Sequence, residues 1–186
     1  MRHSILTQPA ESQGLRHDPT TIALHWISAV LVAALWTIGQ TVDVFPNGPL
    51  RVDYRSVHIV LGVALGLVLT ARLGWRLTRS QNLPPIDSGL LLVLARVTHW
   101  LLYVLVFATT LSGWLFASFR GWSISFFYLV PLPMLAGASP AAIKVINGWH
   151  QVLEWTLLIV AGAHIGSALV HRYVYRDRIL QRMLPG

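Results

Sequence analysis

Val145-Ile-Asn-Gly-Trp-His150-Gln-Val-Leu-Glu154-Trp155 opens the last apolar run of the chain, and Ala161-Gly-Ala-His164-Ile-Gly-Ser-Ala-Leu-Val-His171 closes it. An α-helix turns about 100° and rises about 1.5 Å per residue, so the step from His150 to His164 returns to the same face about 21 Å further along the axis. The further step of seven to His171 keeps that third imidazole on the stripe. An imidazole is costly in hydrocarbon unless it has a partner, and imidazoles stacked at two depths of a membrane helix read as ligands for two separate cofactors.

Working outward, 54% of the 186 residues are hydrophobic, 11% are charged and eight are Trp, which is the composition of an integral membrane protein. There is no cysteine. That excludes disulfides, thiolate-held iron-sulfur clusters, thiolate-ligated haem and covalent Cys-x-x-Cys-His haem attachment, leaving histidine or methionine to hold any haem. The formal net charge is +7, but the arginines lie beside apolar runs rather than along a polar face. They report membrane orientation, and no nucleic-acid partner is expected.

The fold class this predicts is an all-α integral membrane protein, a four-helix transmembrane bundle. Residues 1–20 form a polar N-terminal tail, expected to be mobile or to lie on the surface, without the apolar core and cleavage site of a secretory signal. The membrane domain covers 21–173, with spans at about 21–42, 54–76, 90–119 and 147–173, and a basic tail follows at 174–186. Asp43 to Asp53, with Pro46-Asn47-Gly48-Pro49, reads as a turn. Residues 121–143 carry no charge, yet Pro131, Pro133, Gly137, Pro140 and the cluster Trp122, Phe126, Phe127 and Tyr128 make them an interfacial loop rather than a fifth span. Gly62 and Gly66 follow His58 on nearly one helix face. Small residues there admit a close helix neighbour, or leave room for a flat macrocycle beside the ligand.

Four spans put Arg2, Arg16, Arg72, Arg76, Arg79, Arg96, Arg172, Arg176, Arg178 and Arg182 on one side and Arg51, Arg55, Arg120 and Lys144 on the other. By the positive-inside rule the first group, with both termini, is cytoplasmic. His58 and His150 then open helices that enter from outside, while His25 and His164 lie toward the inner face. A haem iron with two axial histidines takes one from each side of the ring, from different helices of a bundle, so His58 pairs with His150 and His25 with His164. Zinc or copper would require ligands gathered at one depth, and the spacing does not gather them.

His99 and His171 remain, both near the inner face. They are alternative axial ligands, partners for haem propionates, or groups that bind and protonate a quinone, and the last role is the one assigned here. An interfacial histidine is the plain alternative. Arg72 lies on the face of His58 at the inner level, where a propionate or quinone oxygen would satisfy it, and snorkelling is the competing reading. Glu154, one turn past His150, is a candidate proton-linked group. His3 and His17 in the polar tail carry no signal.

The segments Ala-Leu-His25-Trp, Val-His58-Ile-Val-Leu-Gly, Thr-His99-Trp-Leu-Leu-Tyr and Trp-His150-(x13)-His164-(x6)-His171-Arg-Tyr resemble the bacterial cytochrome b561 family, over about residues 18–185. These are small di-haem membrane cytochromes related to the cytochrome b subunits of nickel-iron hydrogenases. The resemblance implies two non-covalent haems b with bis-histidine ligation by His25 and His164 and by His58 and His150. It implies a multi-pass protein of the bacterial inner membrane that moves electrons between an outer-face donor, small or protein, and ubiquinone or a similar quinone. In part of the family superoxide is that donor, which would make the chain an oxidoreductase. Two other readings stand beside it: an anchor and electron-relay subunit of a hydrogenase- or dehydrogenase-type complex, and a haem-free, His-lined metal or proton transporter.

Overall fold

Three of the long helices start on a proline, the residue whose fixed φ and missing N–H suit the first helical position. These are α1 (Pro19–Thr41), α2 (Pro49–Thr78) and α4 (Pro140–Val170), while α3 (Gly89–Phe119) begins on glycine. The computed structural model describes residues 16–79, 83–123, 125–126 and 129–185. The expectation for 1–15 therefore lies outside the described residues. The Asp18 side chain caps α1, accepting from the Thr21 amide at 2.9 Å and the Thr21 hydroxyl at 2.6 Å. A 3-10 turn, Val42–Val44, extends α1, and a π-helical turn, His171–Tyr175, extends α4.

All four helices are long and apolar enough to cross a membrane. Large apolar side chains on their outer faces are exposed, among them Val30, Val104, Ile159 and Ile165, as expected where lipid completes the packing. The helices run alternately up and down. Thr41 near the end of α1 meets Tyr54 near the start of α2 at 2.9 Å, and Ser112 late in α3 meets His150 early in α4 at 2.9 Å. The buried core is Leu65, Leu69, Tyr103, Leu105, Val106 and Leu157, with Leu31, Val32 and Leu35 of α1 packed against it. On α4, Leu157 stands midway between His150 and His164, and the other core residues gather round it as an apolar floor between those two histidines.

Two helices begin earlier than the sequence predicts. Residues 49–53, expected in a turn, already belong to α2, and α4 starts at Pro140 rather than 147. The physical reason is the same in both: Pro49 and Pro140 are breakers inside a helix but starters at its first position. The region 121–139 contains no fifth span among its described residues. A two-residue ladder pairs Ser125–Phe126 (β1) with Val130–Pro131 (β2), and the loop is pinned to α3 by Trp114 Nε1 to Pro133 O and the Leu135 amide to Ser118 Oγ.

The carboxyl-terminal residues, expected as a basic tail, fold back instead. Arg176 adopts the left-handed conformation that ends the π turn, and a 3-10 turn, Leu180–Met183, follows. The Arg182 guanidinium donates to Pro84 O at 2.8 Å, the His17 amide donates to Arg182 O at 3.1 Å, and Trp26 Nε1 donates to Met183 O at 2.6 Å. This strap ties the start of α1 to the α2–α3 connection and the end of α4.

Candidate functional site

The fold collects the histidines at two levels. At the first, His58 of α2 and His150 of α4 face each other with ring centres 6.5 Å apart and planes at 77°. A metal–imidazole bond of about 2.0–2.1 Å, plus about 1.1 Å from nitrogen to ring centre, puts two imidazoles on opposite sides of one iron roughly 6.3 Å apart. The pair therefore has the separation that an intervening iron requires. A partly open cleft adjoins it, walled by Val32, Trp36, Gly62, Val106, Thr110 and Leu157.

Both imidazoles are closely seated. A Cβ on Gly113 of α3 would lie 3.1 Å from His150 Cε1, and one on Gly39 of α1 would lie 3.4 Å from His58 Cε1. Glycine at these places lets backbone approach a ring edge that a side chain would displace. Nδ1 of His58 is buried, and Nδ1 of His150 meets Ser112 Oγ at 2.9 Å. Glu154 lines the same cleft and accepts from Gln40 Nε2 at 3.1 Å.

The second level holds three imidazoles and two guanidinium groups. His25 of α1 and His164 of α4 are 6.4 Å apart at 75°, again close to the bridging value. His99 of α3 is 5.2 Å from His164, too near to share an iron with it from opposite sides, and so stands beside the pair. Arg72 Nη2 lies 3.0 Å from His25 Nδ1, with its guanidinium carbon 5.4 Å from the Tyr103 ring centre. Arg76 stacks on Trp100 at 5.4 Å and on Tyr103 at 5.6 Å.

His171 is brought to neither level. Its buried ring meets Tyr175 at 5.1 Å, its Nδ1 lies 2.5 Å from Asp177 Oδ2 and its Nε2 lies 3.7 Å from Asp87 Oδ1. Desolvation works against ionisation of Asp177, but hydrogen bonds from His171 and the Ile179 amide outweigh it and hold the carboxyl below the usual carboxylate range. The cations at the end of the bundle nearer His58 and His150 are partly neutralised. Arg51 and Arg55 both pair with Asp43, and Arg55 and Arg120 stack on Trp122 at 5.8 and 5.3 Å.

Ser112, Asp87 and Asp177 were not singled out from the sequence. Ser112 had a faint signal, being the neighbour of Gly113 on the stripe that runs from His99. Asp87 and Asp177 had none, because only the fold-back of the strap makes them neighbours of His171.

Facing imidazole pairs at two levels of a four-helix bundle whose helices can cross a membrane are the arrangement expected of a membrane cytochrome b. Residues 16–186 match the model of the family described as prokaryotic cytochrome b561, and the chain belongs to that family, a family of multi-pass bacterial membrane proteins that carry b-type haem in electron transport. Among its relatives, cytochrome b561 homolog 2 of Escherichia coli (strain K12) is 28% identical over 173 residues, covering 91% of each chain. A protein of Yersinia pestis named probable superoxide oxidase CybB is 27% identical, over 88% of this chain and 93% of its own. Cytochrome b561 homolog 1 of the same Escherichia coli strain is 28% identical, over 91% of this chain and 97% of its own.

Proposed function

We propose that this chain is a di-haem cytochrome b that moves electrons across the bacterial inner membrane, from a donor at the outer face to ubiquinone or a similar quinone near the inner face. The observation that carries the proposal is the pair of ring separations, 6.5 Å for His58 with His150 and 6.4 Å for His25 with His164. Two imidazole pairs with the same iron-sized gap, one at each end of an apolar floor, match two b haems better than one. Both termini are cytoplasmic in this reading, as the arginine distribution requires.

When bound, haem supplies a reversible one-electron change at iron, and the protein supplies placement, dryness and charge. His58 and His150 hold the outer group, and His25 and His164 the inner one. Arg72, next to His25, is placed to pair with a propionate or a quinone oxygen. His99, beside the inner pair, is the residue placed to hydrogen-bond a quinone. His171, flanked by Asp177 and Asp87, holds and passes protons on the cytoplasmic side rather than touching quinone. Superoxide is proposed as donor because the Yersinia pestis relative is named a probable superoxide oxidase, although Asp43 tempers the attraction of the outer cations for an anion.

The test is a reduced-minus-oxidised spectrum of the purified protein with haem quantified per chain. Two b haems are expected, and a colourless protein would sink the proposal. Quinone reduction by superoxide generated in the assay then tests the donor.

A further inference from the structure

Ser112 is buried in α3 and its hydroxyl oxygen has two polar neighbours, the Thr109 carbonyl oxygen at 2.8 Å and Nδ1 of His150 at 2.9 Å. A hydroxyl has one proton to give. A carbonyl oxygen can only accept, so with the serine proton on Thr109 O, the arrangement assigned here, the serine presents a lone pair toward His150. The proton in the second contact must then come from the ring. That assignment gives His150 the tautomer with hydrogen on Nδ1 and a free lone pair on Nε2.

We infer that Ser112 is a positioning residue for the outer haem ligand: it fixes the tautomer and ring plane of His150 and, by accepting from Nδ1, strengthens the donation of Nε2 to iron. The inference rests on the reading of His150 as an axial ligand. Hydrogen bonding from the distal N–H of a metal-bound histidine raises the basicity of the ligating nitrogen and fixes ring orientation. The neighbouring residue supports the same assignment, since the place next to Ser112 is Gly113, where a Cβ would lie 3.1 Å from His150 Cε1. One dipeptide of α3 thus holds the ring by its nitrogen and leaves its carbon edge free.

The experiment compares purified wild type with Ser112→Ala and Ser112→Thr, by haem content per chain, potentiometric titration and low-temperature electron paramagnetic resonance. Rings at 77° give a strongly anisotropic low-spin ferric signal, which reports the ring plane directly. Ser112→Ala is expected to raise the midpoint potential of one haem only, because a less basic imidazole stabilises the ferric state less, and to alter that haem's signal; Ser112→Thr restores both. Loss of one haem in Ser112→Ala, restored in Ser112→Thr, also supports the assignment. An unchanged potential and signal in Ser112→Ala, an equal shift of both haems, or failure of Thr to restore would overturn it. His150→Leu separates the two ideas: if that variant keeps both haems, it is the ligand assignment that is wrong.

Discussion

The two histidine levels of this bundle have nearly the same ring separation and differ in what stands behind the rings. At the level proposed as outer, a neutral serine hydroxyl stands 2.9 Å from Nδ1 of His150, and glycines let α1 and α3 close on the ring edges. At the inner level a guanidinium stands 3.0 Å from Nδ1 of His25, and a third imidazole crowds His164. A guanidinium only donates, so in this contact Nδ1 of His25 accepts and its proton sits on Nε2. Ligation through Nε2 therefore needs that proton on the other nitrogen and Arg72 turned to another acceptor. In the reading proposed above, the outer site would be set for iron by a local hydrogen bond, whereas the inner site would couple its ligand to an anion that can take Arg72.

The most drastic way to break this comparison is to delete a ring. His58→Leu or His150→Leu is expected to lower haem from two per chain to one and leave the inner haem's potential in place, and His25→Leu or His164→Leu to do the reverse. His99→Leu keeps two. Simultaneous loss of both haems from any single replacement would show that the levels are not independent.

Steric intrusion comes next. Gly113→Val should force His150 aside and cost about 1–3 kcal/mol of stability, read as a fall in melting temperature, with only the outer haem's signal perturbed. Gly39→Ala, where the approach to His58 is 3.4 Å, should cost less. A larger effect at Gly39 would mean that His58, not His150, is the tightly seated ligand.

Charge gives a smaller and more selective effect. Arg72→Gln removes a cation from the inner level and is expected to lower the inner haem's potential. A unit charge within about 10 Å at an effective dielectric of about 20 is worth roughly 1.5 kcal/mol, or about 70 mV for one electron. Equal shifts at both haems would remove the asymmetry argued here.

The smallest effect belongs to the strap. A carboxyl held below its ordinary range favours the folded state above that range and ceases to do so as pH falls through the lowered value. Asp177→Asn should therefore cost about 1 kcal/mol at neutral pH and nothing in strong acid, measured as melting temperature against pH in wild type and variant. A difference that persists in acid would mean that Asp177 acts by shape rather than charge.

Much of the bundle is legible in the sequence because membrane helices announce themselves by length, and a fixed rise per residue turns spacing into depth. The steps from His150 to His164 and from His58 to Arg72 needed nothing else. What spacing does not carry is azimuth. His25 and His99 share the inner level, and only the packing of α1 and α3 against α4 shows that His25 stands at the bridging distance from His164 while His99 stands closer. Chain reversal is equally invisible. His171 continues the stripe of α4, yet the π turn and the fold-back bring it to two carboxylates, one six residues on and one in the distant α2–α3 connection. Helix starts misled for a third reason, since a proline signals a break unless it is known to stand first.

That last feature also bears on how the helices sit in lipid. The leading turn of any helix has amide groups with no carbonyl to meet, and each must be supplied by a side chain or by water. A starting proline removes one such group from α1, α2 and α4, and Asp18 satisfies another on α1. Helix α3 has neither device: Gly89 retains its amide, and Ser88 makes no side-chain cap. The first turn of α3 must therefore lie where headgroup water can reach it, because hydrocarbon offers those amides no partner.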